Sequence, residues 1–196
     1  MEKLGNANAI AVKQRKEWGE ILTGFETRNK YEVFDENGNS LYFAAEEGNV
    51  LARLFLKPLR PFTMHIMNPD GRDALKGKRP FKFYFHEMSV YDSQDTFLGK
   101  IKREFAVFSR EFSVTDAGNI EIYKIHGPFF HPWTFKILEN GNETGVILKK
   151  WSGLGKEMFT DADNFNITFP PGADLKKKAL LLGALFLIDM LYFEQK

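Results

Sequence analysis

The sequence predicts a mostly β protein: a closed antiparallel barrel of about twelve strands around a central hydrophobic C-terminal α-helix. Three observations predict it. From Tyr31 onward, short runs rich in β-branched and aromatic residues alternate with turn clusters, the pattern of successive hairpins. No helical pattern is interposed between those runs, about ten to twelve short strands, which suits a closed antiparallel barrel or a sandwich. The one segment that is apolar on nearly every face, KKKALLLGALFLIDMLYF from Lys176 to Phe193, comes last.

The first hairpin is the clearest. KYEVF and SLYFA flank DENGN, where Asn37-Gly38 supplies the positive φ angles of a tight turn. Turn clusters recur at NPDG (68–71), DSQDTFLG (92–99), TDAGN (115–119) and ENGN (139–142), and the runs FTMHIM, FYFHEMSVY, EFSVT, IEIYKI, WTFKIL and TGVILKK lie between them. A barrel of about twelve strands is too wide for its own side chains to fill, so it needs a plug. The 20 Phe and 6 Tyr of the chain are material for a large aromatic interior.

The last segment is the plug this reading requires. Its apolar run, Ala179 to Phe193, is fifteen residues long; as a helix it covers about 22 Å, against about 30 Å for the core of a bilayer. Its Leu, Phe and Ile side chains favour insertion by roughly 4 to 5 kcal/mol, and Asp189 alone takes back about 3 kcal/mol. Such a helix must be surrounded by lipid or by protein. Gly183 and Ala184 suit close packing in either setting. If the helix is enclosed by the barrel, Asp189 needs a buried partner or a place near water.

At 196 residues the chain suits a single domain, expected to run from 13 to 196 with its helix at about 175–193, after an N-terminal tail over 1–12. Lys plus Arg number 27 and Asp plus Glu 26, a net charge of +1 that excludes a global field for nucleic acid or anionic lipid, so any electrostatic site must be local. With no cysteine, disulfides, thiolate metal sites, cysteine nucleophiles and S-palmitoyl anchors are excluded. MEKLGNANAIAVKQRKEW has no apolar signal-peptide core, and the expected location is cytoplasmic.

DADNFNITFPPGAD carries the one candidate metal site. Asp161, Asp163, Asn164, Thr168 and Asp174 are hard oxygen donors within fourteen residues, the chemistry that suits calcium. An EF-hand is excluded, because Asn166 replaces the loop glycine and Gly172 stands where the bidentate acid belongs. The competing reading is an Asx-type turn leading into the strand FNITF. Lys149, Lys150, Lys156, Lys176, Lys177 and Lys178, if clustered, would attract anionic lipid headgroups; the alternative is a solvated turn. GLGK (153–156) lacks phosphate-loop spacing, His126 and His131 lack a third ligand, and no serine sits in a nucleophile elbow, so no enzyme is expected. Trp133 and Trp151 are expected to pack the barrel, with a membrane-facing rim as the other possibility.

In order along the chain, LTGFETRNKYEV, GNSLYFAAEE, RPFTMHI, WSGLGKEMFTDADNFNITFP and KKKALLLGALFLIDMLYFE resemble the successive signatures of the phospholipid scramblases, and the similarity extends from about Lys13 to Glu194. The resemblance implies a tubby-like fold, twelve strands around a central C-terminal helix, and calcium-dependent, ATP-independent movement of phospholipids between leaflets of a membrane partner. It also implies that 161–174 matches the family's calcium motif, with Gly172 in place of an acid and Asp174 matching a second acid. The family's cysteine cluster and proline-rich tail have no match here. The alternative function is a soluble module that binds lipid headgroups or a protein partner and transports nothing.

Overall fold

A computed structural model describes residues 1–15, 29–48, 59–149 and 164–194. Twelve strands follow a 3-10 turn at Glu2–Leu4: β1 (Ala9–Gln14), β2 (Lys30–Asp35), β3 (Ser40–Glu47), β4 (Phe62–Met67), β5 (Asp73–Arg79), β6 (Glu87–Asp92), β7 (Phe97–Glu104), β8 (Ser109–Asp116), β9 (Glu121–Pro128), β10 (Thr134–Glu139), β11 (Asn142–Leu148) and β12 (Asn164–Thr168). Each pairs antiparallel with its neighbours in the chain, and β1 pairs with β12 to close the barrel. The expected N-terminal tail is therefore part of the wall. Ile10 and Val12 point inward from β1, and the strand joins β12 on one side and β2 on the other.

Alternation decides which side chains enter the barrel. Val33, Tyr42, Met64, Leu75, Met88, Ile101, Phe112, Ile125, Phe135, Ile147 and Phe165 all project from their strands into one core. Through that core runs α1 (Leu175–Tyr192), with every residue from Lys178 to Leu191 buried. Asp174 caps its N-terminus, its carboxylate accepting from the Lys177 backbone N–H at 2.8 Å. The helix is thus the expected plug, and among the described residues no helix is long and apolar enough to cross a membrane.

Gly183 lets α1 lie against β6 and β7. A Cβ there would stand 2.7 Å from Val90 Cγ2 and 3.2 Å from Ile101 Cδ1. About one turn further along, Phe186 meets the edge of Tyr31 from β2, with ring centroids 5.2 Å apart. Because strand direction alternates, the connections after β5, β7 and β9 leave the end of the barrel where α1 finishes, here termed the mouth. Those after β2, β4, β6, β8 and β10 leave the end where it begins, the base.

Candidate functional site

At the mouth, the inward-facing position of strand after strand is polar. Asn29, Glu46, Arg60, Arg79, His86, Arg103, Arg110 and Lys149 each stand two residues along the chain from an inward-facing position of β2 to β8 or β11, so the pleat aims them at the axis. They surround the C-terminal turn of α1, which adds Asp189, Tyr192 and Glu194. Five cations and three carboxylates make up this ring among the described residues. The excess of positive charge faces the negative end of the helix dipole, where cations are favoured.

One side of the ring is an ion-pair network. Arg60 donates from Nε and Nη2 to the two oxygens of Glu46, both at 3.0 Å, and from Nη2 to Glu194. Asn29 donates to the same two carboxylates. Burial works against the Arg60 charge, but Glu46 and Glu194 outweigh it and hold its pKa above the ordinary value. Next to this network Arg79 Nη2 donates to Nδ1 of His86 at 2.9 Å. Burial, then the neighbouring Arg60 charge, push Arg79 down to about 10; burial, then Arg79 and Arg103, push His86 down to about 4. His86 is therefore neutral at physiological pH and serves as an acceptor.

Asp189 has the buried partner that its position demands. The Tyr31 hydroxyl donates to Oδ2 at 2.6 Å, and Lys149 Nζ lies 3.7 Å from Oδ1. Burial dominates and pushes the carboxyl up to about 6, while the Tyr31 hydrogen bond and the Lys149 charge oppose it. Lys149 is itself held over the rings of Phe193 and Phe165, at 4.3 and 5.0 Å from their centroids.

The remaining arc is cationic and aromatic. The Arg110 guanidinium lies 4.4 Å from the Phe135 centroid and 5.3 Å from that of Tyr192, and it donates to the carbonyls of Pro128, His131 and Pro132. Arg103 lies 5.7 Å from the Tyr192 centroid. Neither has a carboxylate within ion-pair distance among the described residues, which leaves this arc suited to an anion.

Of the residues expected to hold calcium, Asn164, Thr168 and Asp174 are described, and these three stand apart. Asp161 and Asp163 lie outside the described residues. Asn164 begins β12 at the mouth and Thr168 ends it toward the base; four residues of strand separate their side chains by about 13 Å, far beyond the 2.3–2.6 Å reach of a shared calcium ion. Asp174 lies beyond Thr168 and caps α1. Gly172 sits in the intervening turn with φ +73°, a conformation that disfavours an acid there. No group of three or more His, Asp or Glu placed for a metal occurs among the described residues.

The described lysines of the expected cluster are also divided. Lys149 belongs to the mouth, whereas Lys176, Lys177 and Lys178 open α1 at the base; Lys150 and Lys156 lie outside the described residues. Lys178 is buried, donating to the carbonyls of Gly5 and Ala7 at 2.6 and 2.8 Å, and Lys177 lies 3.5 Å from Glu139. Lys176 alone of the three is exposed. His126 is bound to Glu111, and Trp133 is half exposed at the mouth instead of packed in the barrel; Trp151 is outside the described residues.

The polar ring escaped sequence reasoning, although a short signal marks four of its members. Arg-Pro-Phe occurs at 60–62 and 79–81, and Arg-Glu-Phe at 103–105 and 110–112. Each places an arginine at the mouth end of a strand.

A family description named Scramblase matches residues 1–195. The chain is similar to Phospholipid scramblase 2 of Bos taurus (34% identity, 99% of this chain and 71% of the relative) and to Phospholipid scramblase 1 of Homo sapiens (33%, 99% and 65%). It is also similar to Phospholipid scramblase family member 5 of Homo sapiens (32%, 99% and 77%). The chain thus spans about two thirds to three quarters of the length of these relatives. No solved structure matches it significantly.

Proposed function

The chain belongs to the scramblase family, and on that premise we propose that it moves phospholipids between bilayer leaflets without ATP, acting from the cytoplasmic side as a protein that meets the membrane peripherally or conditionally. The observation that carries this reading is the match to phospholipid scramblases along practically the whole chain, barrel and plug together. The movement makes and breaks no covalent bond, in keeping with a molecule in which no nucleophilic or metal-centred catalytic set was expected. With α1 enclosed, lipid contact in this conformation falls to the outer surface and mouth of the barrel.

Calcium dependence is part of the proposal and rests on Asp161 and Asp163, whose carboxylates would supply charge to a hard cation. The separation of Asn164 from Thr168 and Asp174 argues for a weak site with few donors.

The test is reconstitution of purified protein into liposomes carrying a fluorescent lipid, read as loss of leaflet asymmetry with calcium and with chelator. Faster calcium-dependent loss is expected. Binding to liposomes with no loss of asymmetry would overturn transport and leave the headgroup-binding module.

A further inference from the structure

The two ends of the barrel are tipped with different chemistry. At the base, the hairpin turns consist largely of Asp, Asn and Gly, and Asp35, Asp70, Asp92 and Asp116 accept hydrogen bonds from backbone N–H groups of their own turns. At the mouth, the connections 80–86, 105–108 and 129–133 carry large rings turned to solvent. Tyr84, Phe105, Phe108 and Phe130 are each more than four-fifths exposed, with Phe83 and Phe129 not far behind. At the base only Phe97 and Ile120 are exposed large hydrophobics among the described residues. Folding a barrel does not require aromatic loop tips, and clustered apolar exposure of this kind marks a contact surface.

Several features hold these tips in place. Phe129 and Phe130 meet edge-on, as do Phe81 and Phe83. Arg110 binds three carbonyls of the 128–132 segment. Phe85 takes φ 54°, a strained value for a large side chain, within the first of the three loops. Behind the tips lie Arg103 and Arg110, with no carboxylate partner among the described residues.

We propose that the mouth of the barrel is the membrane-docking face: the aromatic tips of loops 80–86, 105–108 and 129–133 enter the interfacial layer of a bilayer, and Arg103 and Arg110 face its anionic headgroups. A bilayer is the occupant that the chemistry favours. Rings of Tyr, Trp and Phe are suited to the boundary between headgroups and acyl chains, and cations without acidic partners complement anionic lipid. The inference rests on the phospholipid reading above and specifies which surface serves it. It also orients the molecule, with the C-terminal end of α1 toward the membrane and the acidic turns of the base away from it.

The absence of cysteine makes the test direct. Phe108→Cys, Phe130→Cys and, at the base, Ala117→Cys each create a unique attachment point for an environment-sensitive fluorophore. Vesicles of phosphatidylcholine with phosphatidylserine should blue-shift the label at 108 and 130, and brominated lipid should quench it there, with no change at 117. Arg103→Gln should weaken partitioning onto these vesicles about fivefold, and much less onto phosphatidylcholine alone. Unchanged emission at 108 and 130, or an equal shift at 117, would overturn the assignment. So would emission already shifted before vesicles are added, which marks a face covered by the chain itself or by a second copy. Docking and transport separate cleanly: labels that insert without loss of lipid asymmetry refute transport alone, and lipid scrambling without insertion of the labels refutes this face alone.

Discussion

Replacing Asp189 by asparagine tests the electrostatics of the plug. Asp189 is 5% exposed inside the barrel, and its pKa is pushed from 3.8 to about 6, first by burial. A folded-state pKa raised by about two units means that the fold holds the protonated form more tightly, so stability falls as pH rises from about 4 through 6 and is level above that. At 1.36 kcal/mol per unit, the ionised carboxylate costs the fold about 3 kcal/mol at pH 8. In Asp189→Asn the side-chain amide would still accept from the Tyr31 hydroxyl without carrying the charge, and Lys149 would keep its contacts with Phe165 and Phe193. The variant should therefore be more stable than the parent by about 1–3 kcal/mol at pH 8, a rise in Tm of roughly 3–10 °C for a chain of this size. The advantage should shrink to near zero at pH 4, where the parent carboxyl is protonated. Thermal and urea melts at pH 4, 6 and 8 measure this. A variant less stable at pH 8, or a difference that does not change with pH, would show that the Lys149 pair outweighs desolvation and refute the argument.

Other outcomes follow from the same geometry. Gly183→Val should destabilise by about 1–3 kcal/mol, because its Cβ would overlap Val90 Cγ2; an unchanged denaturation midpoint would mean that α1 can shift away from β6. Leu185→Asp places an unpaired carboxylate in the core and should abolish cooperative melting, as should truncation after Asp174; a soluble, folded truncated chain would show that the barrel needs no plug. His86, with its pKa lowered to about 4, contributes stability above pH 6.5 that is lost as pH falls toward 4, and His86→Gln should flatten that limb of a pH-stability profile. Asp161→Ala or Asp163→Ala should remove any calcium-induced rise in Tm, while Thr168→Val and Asp174→Asn should leave the rise intact even if Asp174→Asn lowers the baseline; loss of the response in Thr168→Val would mean that the segment folds around the ion.

What the sequence determined by itself is local and periodic. Alternating runs such as KYEVF and SLYFA around Asn37-Gly38 define strands and a turn without reference to the rest of the chain. The shortness of Ala179 to Phe193 and its one carboxylate made a membrane span marginal, and the preceding strands, which need something to fill their barrel, placed this all-round apolar helix in protein. Even the need of Asp189 for a partner was legible. The identity of that partner was not, because Tyr31 is 158 residues away and meets it only after the barrel closes. Tertiary structure also decided what belongs together. Arg79, Arg103 and Arg110 come from three different strands and Arg60 from just before a fourth, β4; they form one ring because strand direction alternates and each lies at a mouth end. The same alternation gathers the aromatic loops that follow β5, β7 and β9 at that end. It works in reverse on residues close in sequence: Asn164 and Thr168 are four apart, and a strand, which rises about 3.3 Å per residue, carries them toward opposite ends of the barrel. Lys149 and Lys178 are divided by α1 in the same way. Proximity along the chain suggested that Asn164, Thr168 and Asp174 share one site and that Lys149 sits with Lys176 to Lys178; a strand in the first case and the length of α1 in the second hold these residues apart.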